Sequence, residues 1–472
     1  MSKFFVILIT LFLSLCGDPK YYDSSLRQGY SLTAMGSKTA YVNNGLVAYR
    51  ERVKSGDRLV HMNLLFRHGT RSPEKAFMKK MKRWAQHFKS RKELSDFNFT
   101  LNCGGTMSKE LLPTGERELQ DLGIRWRSRV SLRFRQPLYA QVYVSPTNRT
   151  AASARAFVSK FFDNPSSVHY EEDYQRLRFF DTCTRYTRTI RKNKTLLVEW
   201  YAFQKGPEMK KVLGEVVADN NLYDLNITLD DLEDFYKMAS HEASVMQPDE
   251  KVSGWLKLFR PEHLYVLEYL HDLKHYWSKA NPFPISYEQA CPLWGSIMEQ
   301  MLESAKFDMQ LDACQACVTP PLGVFWFAHA ETLLPLVVKL GLFNESVKSH
   351  LGGGNHLRSS NFQSRLDRLM SRPPVFNLFR TAHITPFAGN IAFLLFHRPH
   401  PGQAPSIDDY ILEVLLNEQV VDILPHVPRE ELTLRRVLEY FSGCRPQEYD
   451  HNVLCALPDS ESLPPTAKRS EL

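Results

Sequence analysis

Arg67, His68 and Arg71 fall within one short stretch, "LLFRHGTRSP", directly after an apolar run. Arg149 lies in a second polar junction, "SPTNRT", and His329 and Glu331 lie in a third, "HAET". Guanidinium forks grip the oxygens of a dianion two at a time, so three of them around one imidazole suit a phosphate group. The same positive charge disfavours protonation of His68 and leaves a ring nitrogen free to attack phosphorus. A carboxylic acid at the pocket's lip, Glu331, could protonate the departing alkoxide. His329 could stabilise the phosphoryl oxygens.

These groups can act together only if the chain brings the three junctions to one place. Each follows an apolar, β-prone run and precedes a helical stripe. The runs are "RLVHMNLLF", "PLYAQVYV" (137–144) and "GVFWFA" (323–328), with "IAFLLF" (391–396) as a further strand. Ser72 and Pro73 read as the N-cap and first residue of a helix bearing Phe77, Met81, Trp84 and Phe88 on one face. A second stripe carries Ala154, Phe157, Val158, Phe161 and Phe162, and a third Leu333, Leu334, Val337 and Val338. Alternating strands and helices predict an α/β fold with a mostly parallel sheet and helices on both faces. Ligands in such folds bind beyond the carboxyl ends of the strands, where the three junctions would converge.

Residues 165–318 differ in character, with helical periodicity and few strand signals, and are read as an inserted helical subdomain over the pocket. The α/β core then comprises 17–164 and 319–456. Residues 1–16 read as a signal peptide and 457–472 as a disordered tail. No other segment is a membrane span. Sequons at Asn98, Asn193, Asn226 and Asn344 fit secretory passage, whereas the one at Asn148 is expected to stay unoccupied because a glycan would crowd Arg149. The chain has eight cysteines, some of which should pair in an oxidising compartment, and Cys444 and Cys455 are read as a bridge. The ending "AKRSEL" is similar to an endoplasmic reticulum retrieval signal, but has serine where the acidic residue belongs.

The net charge of +7 points to acidic partners. Nucleic acid is set aside because no recognition motif accompanies the charge. The basic run "KAFMKKMKRWAQHFKSRK" is instead the solvated face of an amphipathic helix. Lys79 from that helix and Lys205 from "FQKGPEM" are candidates for outer substrate groups.

The stretch "RHGTRSP" resembles the RHGxRxP signature of the histidine acid phosphatases, a branch of the histidine phosphatase superfamily. "HAETLLPLVVKLGLF", "EWYAFQKGPEMKKVL" and "YVLEYLHDLKHYW" are similar to multiple inositol polyphosphate phosphatases. The resemblance implies a phosphoglycerate mutase-like core with a helical subdomain, and a phosphohistidine mechanism without metal or cofactor. In it His68 is the nucleophile, Arg67, Arg71, Arg149 and His329 bind phosphate, and Glu331 donates the proton. It implies a small polyphosphate as substrate, either inositol polyphosphates including phytate or 2,3-bisphosphoglycerate. A broad acid phosphatase and a polyanion-binding protein without turnover are the alternatives. The implied location is the endoplasmic reticulum lumen or outside the cell; the oligomeric state stays open. One departure is Ser72, where many relatives carry a bulkier aromatic residue.

Overall fold

A computed structural model describes residues 26–27, 30–41, 56–95, 97, 99, 108–130, 140–246, 254–310, 320–343, 356–370, 378–400, 402, 404–424 and 426–457. The expectations for residues 1–16, the sequons at Asn98 and Asn344, and nearly all of the tail lie outside these residues.

The frame is a seven-stranded sheet. In chain order its strands are β1 (Arg58–Arg67), β2 (Ala140–Val144), β3 (Tyr170–Glu172), β4 (Gly323–Ala328), β5 (Asn390–His397), β6 (Tyr410–Leu416) and β7 (Gln419–Val420). Their spatial order is β3-β2-β4-β1-β5-β6-β7. Strands β3, β2, β4 and β1 are parallel neighbours, and the pairs β1–β5, β5–β6 and β6–β7 are antiparallel. The sheet is therefore mixed, with its parallel half where the three junctions lie. The antiparallel half needs no helical crossover between β6 and β7, which join through Asn417 and Glu418, both at positive φ.

Strand β1 lies in the middle and is buried on both faces, which explains its nearly continuous apolar run. Met62, Leu64 and Phe66 point to one side and pack with Leu119, Leu122 and Trp126 of α2 (Pro113–Val130) and Phe157 of α3 (Asn148–Phe161). Full burial of a side chain such as Phe66 is worth roughly 1.5–3 kcal/mol. The opposite face, including Val60 and Leu65, joins a larger core. That core runs into the helices between β3 and β4, among them α4 (Pro207–Asp219), α5 (Leu229–Ala243), α6 (Pro261–Lys279) and α7 (Cys291–Gln310).

Two local expectations are corrected. Helix α1 spans Lys75–Lys89 with Glu74 at its N-cap, not Ser72. Arg71 instead bridges Leu111, the Ser72 N–H donates to the Glu110 carbonyl (2.8 Å), and Ser72 Oγ accepts from the Glu110 N–H (3.1 Å). These extended pairings use the serine before the helix can. The cysteines pair as Cys183–Cys455 and Cys291–Cys444, not Cys444 with Cys455. Each bridge ties the C-terminal segment to the region between β3 and β4. Proximity in sequence gave no hint of these partners, because the matching cysteines arrive through tertiary packing.

Candidate active site

Sheet register brings the junctions together. Arg67 lies opposite Ala328 on β1 and β4, and Val144 lies opposite Phe327 on β2 and β4. His68, Ser145 and His329 follow these positions and so emerge side by side at one end of the sheet. Strand β5 runs the other way, and Phe66 lies opposite its first residue, Asn390. The loop leading into β5 therefore reaches the same edge. There the Arg67 N–H donates to the Gly389 carbonyl (2.8 Å) and the Ala388 N–H donates to the His68 carbonyl (3.0 Å). Ala388 holds a φ of 54°, in the left-handed region that few side chains adopt.

The loop after β1 rests on α2. A Cβ on Gly69 would come within 2.3 Å of the Gly115 carbonyl oxygen, so only glycine permits this approach. Three residues further along the helix, Glu118 accepts from the Thr70 N–H (2.7 Å), the Thr70 hydroxyl (2.9 Å) and the Tyr41 N–H (3.0 Å). Burial pushes its carboxyl up to about 7.

His68 is 4% exposed. Its Nδ1 lies 2.9 Å from the Gly69 carbonyl oxygen, which can only accept, so Nδ1 carries the proton and Nε2 keeps its lone pair. Burial first, then Arg67, His329, Arg71 and Arg149, hold His68 well below the ordinary histidine range. It is an unprotonated imidazole at neutral pH.

The cations around it are anchored at one end. Arg67 Nη1 donates to the carbonyls of Ser37 (2.5 Å) and Thr385 (2.6 Å), and Arg71 Nη1 donates to the Ser72 carbonyl (2.8 Å). Arg149, in the first turn of α3, lies 3.3 Å from His329 Nδ1. The buried Nε of each of these arginines has no hydrogen-bond partner among the described residues. Burial lowers the pKa of Arg67 to about 9 and of Arg149 to about 10, and both remain charged at neutral pH. Three crowded guanidiniums with unused donors favour an anion with several acceptor oxygens.

His329 caps α8 (Ala330–Lys339), and its ring centroid lies 5.6 Å from that of His68. Its Nε2 faces Ser145 Oγ (2.8 Å) and an Arg178 donor (3.0 Å). Arginine can only donate, so either Nε2 accepts from Arg178 or Nδ1 accepts from Arg149, and the other nitrogen bears the ring's proton. Burial and Arg149 press its pKa to about 3. Glu331, in the first turn of α8, pairs with Lys279 at 3.0 Å. Lys279 chiefly holds its carboxyl well below the usual range. The Glu331 side chain is 40% exposed, so solvent screens this pair and limits it to about 1 kcal/mol or less.

The structure thus gathers Arg67, His68, Arg71, Arg149, His329 and Glu331. Lys79 and Lys205 are exposed, and neither forms a hydrogen bond or ion pair with these six residues among the described residues. Asn193 is half-buried and Asn226 exposed. Four residues that the sequence reading passed over lie close: Lys38, Arg178, His241 and Lys279. None belongs to a motif, and three come from the helices between β3 and β4. Only their positive or titratable character in a basic chain could have flagged them.

Known proteins are similar to this chain in sequence and in fold. The chain is 27% identical over 354 residues to multiple inositol polyphosphate phosphatase 1 of Gallus gallus, covering 74% of this chain and 72% of that one. Its fold matches the multiple inositol polyphosphate phosphatase of Bifidobacterium longum in complex with phosphate, with a TM-score of 0.64 at 14% identity over 88% of this chain and 98% of the other. The phytase of D. castellii gives a TM-score of 0.64 at 16% identity, covering 94% of this chain and 91% of that one. At such identities the two structures speak for the fold alone. The sequence profile of the histidine phosphatase superfamily (branch 2) matches residues 58–417, and this chain belongs to that family.

Proposed function

We propose that this protein is a phosphomonoesterase that hydrolyses inositol polyphosphates through a phosphohistidine at His68. The observation that carries the reading is the buried, unprotonated His68 with its Nε2 lone pair among three arginines that have unused donors. The scissile phosphate lies between Arg67, Arg71, Arg149 and His329. Nε2 attacks phosphorus, the bond to the inositol oxygen breaks, and Glu331 gives its proton to that oxygen. Water then attacks the phosphohistidine and returns a proton to Glu331, and inorganic phosphate leaves. A bound dianion competes with Glu331 for Lys279 and adds negative charge nearby, so the carboxyl is more readily protonated in the complex than in the free protein.

The substrate class is drawn from the named relatives and from the excess of cations around the pocket. The helices at 165–318 act as a subdomain that covers the core and supplies Arg178, His241 and Lys279. The protein works in the secretory pathway, a reading supported by two disulfides and the signal-like N-terminus. Phosphate release from inositol hexakisphosphate and 2,3-bisphosphoglycerate tests the proposal. The wild type should act on the first in preference, His68→Ala should lose at least about three orders of magnitude in kcat, and Glu331→Gln should be strongly impaired. Equal activity of His68→Ala would remove the mechanism.

A further inference from the structure

The ring of Phe387 is a meeting point beside the nucleophile. The Arg67 guanidinium lies 4.4 Å from its centre, the His68 ring 6.0 Å, Lys38 Nζ 5.7 Å and the His241 ring 6.3 Å. Arg67 and His68 are occupied by the reaction already described. Lys38 and His241 are not, and they reach this ring from distant parts of the chain. Lys38 ends the short turn Gly36–Lys38, whose Ser37 carbonyl anchors Arg67. His241 lies in the last turn of α5.

Both side chains keep hydrogen-bonding capacity that is unused among the described residues. His241 is 5% exposed, and its ring bonds to the Arg71 backbone, yet its Nδ1 has no hydrogen-bond partner among the described residues. Lys38 forms no ion pair with a carboxylate among the described residues, and the charges that act on it most strongly are mostly positive: Arg71, Arg67 and Lys279, against Glu331. Burial and these cations hold both groups well below their ordinary pKa values. A second anion would relieve that strain on both.

We propose that Lys38 and His241 form a second anion subsite beside Phe387, which takes a second phosphate of the substrate molecule whose first phosphate lies at His68. The inference rests on the phosphatase reading above and adds to it a reason for preferring polyphosphates. The Lys38 ammonium donates to the second phosphate. One proton lies between His241 Nδ1 and a phosphate oxygen, supplied by the monoprotonated phosphate or by solvent.

The test compares inositol hexakisphosphate with p-nitrophenyl phosphate, which carries one phosphate only. In Lys38→Met and His241→Phe, kcat/KM for inositol hexakisphosphate should fall at least about tenfold more than for p-nitrophenyl phosphate. Lys38→Arg should recover most of the difference. Equal losses on both compounds would mean that the two residues merely support the catalytic loop, and no loss on either would mean that they touch no substrate. Both outcomes overturn the subsite. If the wild type hydrolyses neither compound, the phosphatase reading fails. Calorimetric binding of inositol hexakisphosphate then decides the subsite separately: weaker binding by the variants supports it, and equal binding overturns it.

Discussion

His68 and Glu331 have opposite protonation needs, and their surroundings treat them in opposite ways. Burial and arginines keep His68 unprotonated, so kcat/KM should persist as pH falls below 6.5, the ordinary histidine value. An acid limb at or above that pH would contradict the assigned nucleophile. Glu331 must hold a proton to donate it, so kcat falls as pH rises through its pKa. Lys279 is the largest influence lowering that pKa. Lys279→Met should therefore move the alkaline limb of kcat to higher pH, measured on a pH profile of each enzyme. An unmoved limb would show that Glu331 is not the acid. The side chains nearest phosphorus were legible because Arg67, His68 and Arg71 share one turn, while Arg149, His329 and Glu331 follow predicted strands. Lys38, Arg178, His241 and Lys279 were not legible, since helices and a distant turn place them by packing, which leaves no spacing to read.

At the scale of elements, three parallel strand ends and one antiparallel strand start put the reactive groups within reach of one another. The catalytic loop keeps its place by lying directly on α2, at the contact between Gly69 and Gly115, with Glu118 bonded to Thr70 beneath it. A methyl group at Gly69 must displace backbone. Gly69→Ala should lower stability by about 1–3 kcal/mol in thermal melts and reduce kcat as well. Full activity and an unchanged Tm would show that the loop is not seated as described. The strand-then-helix alternation foretold these elements, and apolar periodicity located α3 and α8. It misplaced the start of α1, because Ser72 is drawn into pairing with Glu110, a partner that local capping rules do not see.

Across the whole molecule, the two disulfides join residues 272 and 153 positions apart and fasten the C-terminal segment to the helical region. Long closed loops gain the most from such links, so Cys183→Ser with Cys455→Ser should cost about 2–4 kcal/mol, read as a lower Tm that reductant no longer affects through this bridge. An unchanged Tm would mean that the bridge does not form. The α/β class was legible from the alternation, whereas the pairing of cysteines and the antiparallel half of the sheet depend on contacts between remote segments. All of this frame serves one chemical event at His68. Rapid acid-free quenching during turnover of 32P-labelled inositol hexakisphosphate, followed by peptide mapping, tests that event directly. Alkali-stable, acid-labile label is expected on the peptide containing His68, and none in His68→Ala. Turnover without any labelled protein, or label on another peptide, would contradict a phosphohistidine at His68.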